Sequence, residues 1–138
     1  NSRLDTIQAA ILLEKIKVFA DELEARGRVA DRYAQGLAGH ILSTPKVIDG
    51  GVSTWAQYTI EHEDRDGLGA HLKAKGVPTA VYYPIPMHRQ APYAHFPQPG
   101  GLPVTEAKAQ TVISLPMHPY LSEADQDKVV EAVKKSLG

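Results

Sequence analysis

Eight of the ten prolines fall between Pro84 and Pro119, and this clustering divides the chain into two kinds of polypeptide. Proline lacks a backbone N–H and fixes φ, so that stretch supports neither a long helix nor a central strand. From Ile85 to Gly101 no helical or strand period survives. The expectation is a long ordered or semi-ordered loop, of a kind that in a compact domain is often functional. After it the pattern resumes in short pieces: a helix from Val104 to about Thr111, then a last strand over Val112-Ile113-Ser114-Leu115. Ser122, three residues before Asp125, resembles a capping box and opens a final helix through Val129, Val130 and Val133.

Before the proline-rich stretch the chain is regular. Ile7, Ile11, Leu12 and Ile16 recur at three- and four-residue spacing, and Phe19, Leu23, Val29, Tyr33 and Leu37 continue the pattern, which predicts helix from Asp5 to about Ala38. Such a run is long for one globular helix, so a bend near Val18-Phe19 is expected, with Asp5 or Ser2 capping the start. Lys46-Val47-Ile48 reads as a weak strand, Asp49-Gly50-Gly51 as a turn and Ser53 to Glu61 as a strand. Asp64-Arg65-Asp66 opens a short helix through Leu68 and Leu72, closed at Gly76, where a left-handed residue is needed. Val77 to Tyr83 is the next expected strand. The resulting fold class is α+β, a small antiparallel or mixed sheet with helices on one face.

Composition excludes several functions. Without cysteine there are no disulfides or thiolate metal sites, which fits the cytoplasm. A net charge of −1 gives no basic excess for nucleic acid, and no apolar run approaches the roughly 20 residues of a membrane span. His88, His95 and His118 lack the spacing of a hydrolytic metal motif. No serine sits in a glycine-flanked elbow, and Gly50-Gly51 and Gly100-Gly101 lack the spacing of a phosphate loop. What remains is Tyr82-Tyr83-Pro84-Ile85-Pro86-Met87-His88-Arg89-Gln90-Ala91-Pro92-Tyr93. Phenols, an imidazole and a guanidinium on a proline-stiffened loop suit a flat, polar, possibly anionic ligand; the same tyrosines could equally pack into a core.

The opening Asn1-Ser2-Arg3-Leu4-Asp5-Thr6-Ile7-Gln8-Ala9-Ala10 resembles the Asn-x-Arg-x-Asp-x-x-Gln-Ala-Ala signature of the DegT/StrS sugar aminotransferases. Further segments follow in that family's order: Ser53-Thr54-Trp55-Ala56-Gln57-Tyr58, Lys75-Gly76-Val77-Pro78-Thr79, Tyr82-Tyr83-Pro84-Ile85-Pro86-Met87-His88 and Ser114-Leu115-Pro116-Met117-His118-Pro119. The chain is similar to the branch that installs a 3-amino group on UDP-linked 2-acetamido sugars, uronic acids included, for bacterial surface polysaccharides.

The resemblance implies that residues 1–138 are the C-terminal small domain of a fold-type I transferase dependent on pyridoxal phosphate. Residues 1–38 would bridge to a large domain lying upstream, and that domain would carry the cofactor's lysine. The parent enzyme would be a cytoplasmic homodimer moving an amino group from glutamate to a keto sugar nucleotide, and this piece alone would be inactive. Asn1 matches the residue that reaches the cofactor phosphate of the other subunit, and Arg3 the one that meets the anionic substrate there. Tyr82, Tyr83, His88 and Tyr93 match substrate-side positions on the loop, although many relatives have His-Tyr where this chain has Tyr82-Tyr83. Left to their local context, Asn1 would cap the first helix and Arg3 would pair with Asp5 or Glu14. A dehydratase of the same family, with histidine in place of the lysine, and a stand-alone binding module are the alternatives. The first helix should expose Ile7, Ile11 and Leu12.

Overall fold

The computed structural model describes residues 3–96 and 100–136. Asn1 and Ser2 lie outside the described residues, so neither Asn1's expected role nor capping by Ser2 has a structural counterpart here.

Helix α1 (Thr6–Lys15) starts at Asp5, whose backbone N–H donates to Gln8 Oε1 at 3.1 Å, the return half of a capping box. A single 3-10 turn, Ile16–Val18, carries the chain into α2 (Phe19–Leu37) where a bend was expected. None of α1 is buried: Ile7, Ile11 and Leu12 are 76%, 55% and 52% exposed. By contrast, α2 buries Val29, Ala30, Tyr33 and Leu37.

Strands β1 (Tyr58–Glu61) and β2 (Val112–Leu115) pair antiparallel, with Tyr58 opposite Leu115 and Ile60 opposite Ile113. The period of two sends those four side chains to one face. There they meet α2, Leu68 and Leu72 of α3 (Arg65–Ala74), and Val129 and Val133 of α5 (Glu123–Lys135) in one core. A two-stranded ribbon this short is marginal by itself, and the three helices supply what the ladder lacks. Gln126, buried on α5, ties the layers by donating to the carbonyl of Val29 at 3.1 Å.

The caps follow the sequence. Asp64 accepts from the Gly67 N–H at 2.9 Å, Ser122 from the Asp125 N–H at 3.1 Å, and Gly76 has the expected positive φ of 74°. The strands are shorter than expected. Lys46–Ile48 forms none; just before it, Ser43 bridges Glu61 at the sheet edge. The Ser53–Glu61 strand begins only at Tyr58, because Trp55 takes a φ of +47°. That turn is held by its neighbours: Trp55 N–H donates to Ser53 Oγ at 3.1 Å and Arg26 donates to Trp55 O at 2.9 Å. Val77–Tyr83 makes only the bridge of Ala80 to Ser114. The fold is α+β with an antiparallel sheet, as expected; α2, α3 and α5 share one face of it, and the sheet is two strands wide.

Candidate functional site

The face of the sheet away from the core is polar. Thr59 and Ser114 share a hydroxyl hydrogen bond of 2.8 Å, and Glu61 accepts from Ser43 Oγ at 2.7 Å and pairs with Lys108 Nζ at 2.5 Å. Those donors, Lys108 first and Ser43 second, hold the Glu61 carboxyl below its ordinary value. Above this floor lies a groove of about 580 Å³. One wall is α4 (Pro103–Thr111), which contributes Val104, Thr105, Lys108 and Ala109; the other is the proline-stiffened loop, through Tyr82, Tyr83, Ile85, Pro86, Met87 and Gln90. Such a volume suits a small organic ligand.

Two tethers shape the loop wall. Before the tyrosines, Ala80 exchanges backbone hydrogen bonds with Ser114 (2.8 and 3.2 Å), so Tyr82 starts from the sheet edge. Beyond them, the chain makes a 3-10 turn, Met87–Arg89, and further turns in which Gln90, Tyr93 and Phe96 N–H donate to Met87, Gln90 and Tyr93 carbonyls at 2.9–3.1 Å. Thus the expected loop, as far as residue 96, is a chain of tight turns. Tyr82 and Tyr83 are joined by a cis peptide bond, and their rings meet edge to face, with centroids 5.9 Å apart. Tyr83 is 71% exposed and Tyr82 48%, and both line the groove. Tyr82 also borders a second hollow of about 260 Å³ beside Gln57, Thr79 and Met117.

The other expected residues are placed differently. The His88 side chain is only 8% exposed, and its Nε2 lies 3.0 Å from Glu106 Oε1. Arg89 donates to the same oxygen through Nε at 2.9 Å and Nη2 at 2.5 Å. His88 and then Arg89 draw the Glu106 carboxyl below its ordinary value. Tyr93 is 42% exposed but does not line the groove. Arg3 pairs with Asp5 at 2.9 Å on the exposed start of α1, the local pairing open to it from sequence.

Glu106, Lys108 and Thr59 were not singled out from the sequence. Each acts here through a partner 17 to 55 positions away, and no local pattern announces that. Lys46 follows the Asn1–Ala10 signature, whereas the resemblance implies a cofactor lysine upstream of it. Lys46 is exposed and away from the groove, and Lys108 is committed to Glu61. The groove therefore pairs no available lysine with an aspartate, and the described residues do not form a cradle for pyridoxal phosphate. Among the described residues no three His, Asp or Glu side chains are placed to hold a metal, and no helix is long and apolar enough to cross a membrane.

The chain is thus a small α+β domain with a tyrosine-lined groove beside its sheet. The model of the DegT/DnrJ/EryC1/StrS aminotransferase family matches residues 1–134. The chain belongs to that family. It is 47% identical over 124 residues to the UDP-2-acetamido-2-deoxy-3-oxo-D-glucuronate aminotransferase of Pseudomonas aeruginosa, covering 90% of this chain and 34% of that protein. It is 38% identical to a UDP-N-acetyl-3-dehydro-alpha-D-glucosamine 3-aminotransferase of Acidithiobacillus ferrooxidans, covering 99% of this chain and 37% of the other. A crystal structure of a family aminotransferase from Brucella abortus superposes with a TM-score of 0.95 at 52% identity, covering all of this chain and 37% of that one. The chain thus spans little more than a third of the length of these relatives.

Proposed function

We propose that this chain is the substrate-side small domain of a pyridoxal-phosphate-dependent aminotransferase that aminates a UDP-linked 3-keto sugar, with glutamate as donor. The observation that carries the reading is the match, over 90% and 99% of this chain, to two relatives named for UDP-linked 3-oxo and 3-dehydro sugars. Other relatives are named for dTDP-linked sugars, at 32% and 38% identity, so the choice of UDP rests on the 47% identity to the first of the two.

In this reading residues 1–38 bridge to a large domain, and Asn1 and Arg3 serve a second subunit of a homodimer, Asn1 at the cofactor phosphate and Arg3 at the anionic substrate. Arginine's planar fork suits a diphosphate or a carboxylate. Tyr82 and Tyr83 hold the sugar nucleotide against the groove, offering ring faces and hydroxyls, while Ile85, Pro86 and Met87 exclude water. His88 serves the substrate indirectly, by holding the loop, and Tyr93 would meet it from outside the groove as the loop lies here. Pyridoxal phosphate, when bound, supplies the electron sink for amino transfer. The enzyme would work in the cytoplasm, alongside its nucleotide-sugar substrate.

Two measurements test this. The reading frame containing this sequence should encode the cofactor lysine upstream of Asn1, and its product should convert glutamate to 2-oxoglutarate only with a 3-keto sugar nucleotide. The 138-residue chain given pyridoxal phosphate and borohydride should retain no pyridoxyl absorbance; retention on one of its lysines would refute the division of labour.

A further inference from the structure

We infer that Glu106 is a positioning residue for the recognition loop: its carboxylate clamps that loop to α4 and so fixes the tyrosine wall of the groove. The consequence for substrate rests on the function proposed above; the clamp itself does not.

The groove has two walls of independent origin. Tyr82, Tyr83 and Met87 come from the loop, whereas Val104, Thr105 and Lys108 come from α4. No helix or strand holds these walls at a fixed separation among the described residues between them, 91–96 and 100–102. Glu106 stands on α4 and reaches across to the loop. One of its oxygens meets His88 Nε2 at 3.0 Å and accepts from Arg89 Nε and Nη2 at 2.9 and 2.5 Å.

This is more than an ordinary surface pair, which holds two mobile side chains for little gain. His88 is nearly enclosed, with 8% of its side chain exposed, so its ring is a packed strut. Its neighbour Arg89 comes from the same 3-10 turn, so two consecutive residues converge on one acceptor. Charge-assisted bonds of that geometry are the strong ones. The turn that follows Tyr82 and Tyr83 is thereby fixed in direction as well as in position. His88, expected to touch substrate directly, acts in this account by orienting the residues that do.

The test compares Glu106→Ala and Glu106→Gln with the parent chain, reading amide hydrogen exchange in residues 84–96 and in the β1–β2 ladder. Glu106→Ala should speed exchange at Gln90, Tyr93 and Phe96 by about tenfold, the loss of a charged hydrogen-bond hub, while the ladder stays within about twofold. Glu106→Gln keeps an acceptor oxygen without the charge, so it should fall between. Unchanged loop exchange in Glu106→Ala would overturn the clamp. In the complete enzyme, Glu106→Ala should raise KM for the sugar nucleotide about tenfold, with kcat within about twofold, as loss of substrate positioning requires. A loosened loop with unchanged KM would overturn the positioning role. If the parent enzyme itself ignores sugar nucleotides, the proposed function fails, and the exchange result still decides the clamp.

Discussion

Tyr33 and Tyr58 sit together in the core, both 0% exposed, with ring centroids 5.1 Å apart. Their hydroxyls have opposite fates. Tyr33 OH donates to the carbonyl of Pro116 at 3.0 Å, whereas Tyr58 OH is buried with no hydrogen-bond partner among the described residues. Burial, and after it the Asp31 charge, pushes the Tyr58 phenol up to about 12. The same substitution should therefore change stability in opposite directions at the two sites. Tyr33→Phe removes a buried bond and leaves the Pro116 carbonyl unsatisfied, at a cost of about 1–2 kcal/mol. Tyr58→Phe removes an unsatisfied hydroxyl while keeping the ring, and should be neutral or stabilising by up to about 1 kcal/mol. Neither variant disturbs the ring packing with Trp55 or the tyrosine partner. Urea unfolding followed by Trp55 fluorescence reads both as shifts of midpoint at constant slope. A Tyr58→Phe loss matching that of Tyr33→Phe would refute the reasoning, because it would show that the Tyr58 hydroxyl is satisfied.

Acid should loosen three carboxylate contacts near the surface before it loosens the apolar core. Glu61 (by Lys108, then Ser43), Glu106 (by His88, then Arg89) and Asp125 (by Lys128, then Ser122) are all held below their ordinary carboxyl values. Folded values below unfolded ones give stability that is complete above the ordinary values and is lost as pH falls through the lowered ones. Urea midpoints should thus be flat down to about pH 5 and drop below it, and Glu61→Gln should flatten the drop. Two glycines of α2 should respond oppositely to alanine. Gly27 has open space where a Cβ would go, so Gly27→Ala should add about 0.5–1 kcal/mol of helix propensity. A Cβ on Gly36 would lie 3.1 Å from both Val130 methyls, so Gly36→Ala should instead lower the melting temperature. Gly76→Ala, at φ +74°, should cost about 1–2 kcal/mol by the same thermal assay.

The helices were legible because their signals are local. Asp5, Asp64 and Ser122 open them and Gly76 closes one, each within four residues of the atoms it satisfies. Strands need a partner, and sequence does not name it. Val77–Tyr83 has the side chains of a strand, yet only Ala80 finds one; Ser53–Gln57 alternates correctly until Trp55 turns left-handed toward Arg26. The site divides in the same way. Tyr82 and Tyr83 could be picked out by residue type and by resemblance. Glu106 could not, because its role exists only once α4 folds back against a turn 17 residues earlier.

The joint at Ile16–Val18 gives α1 the mechanics of a lever. With none of its residues buried, α1 takes its direction from that single turn, and α2 behind it is fixed in the core. Ten helical residues make an arm of about 15 Å. A change of a few degrees in the backbone angles of the turn therefore sweeps Arg3 through an ångström or more. The aim of that guanidinium is set at the fulcrum, more than ten residues from the charge it directs.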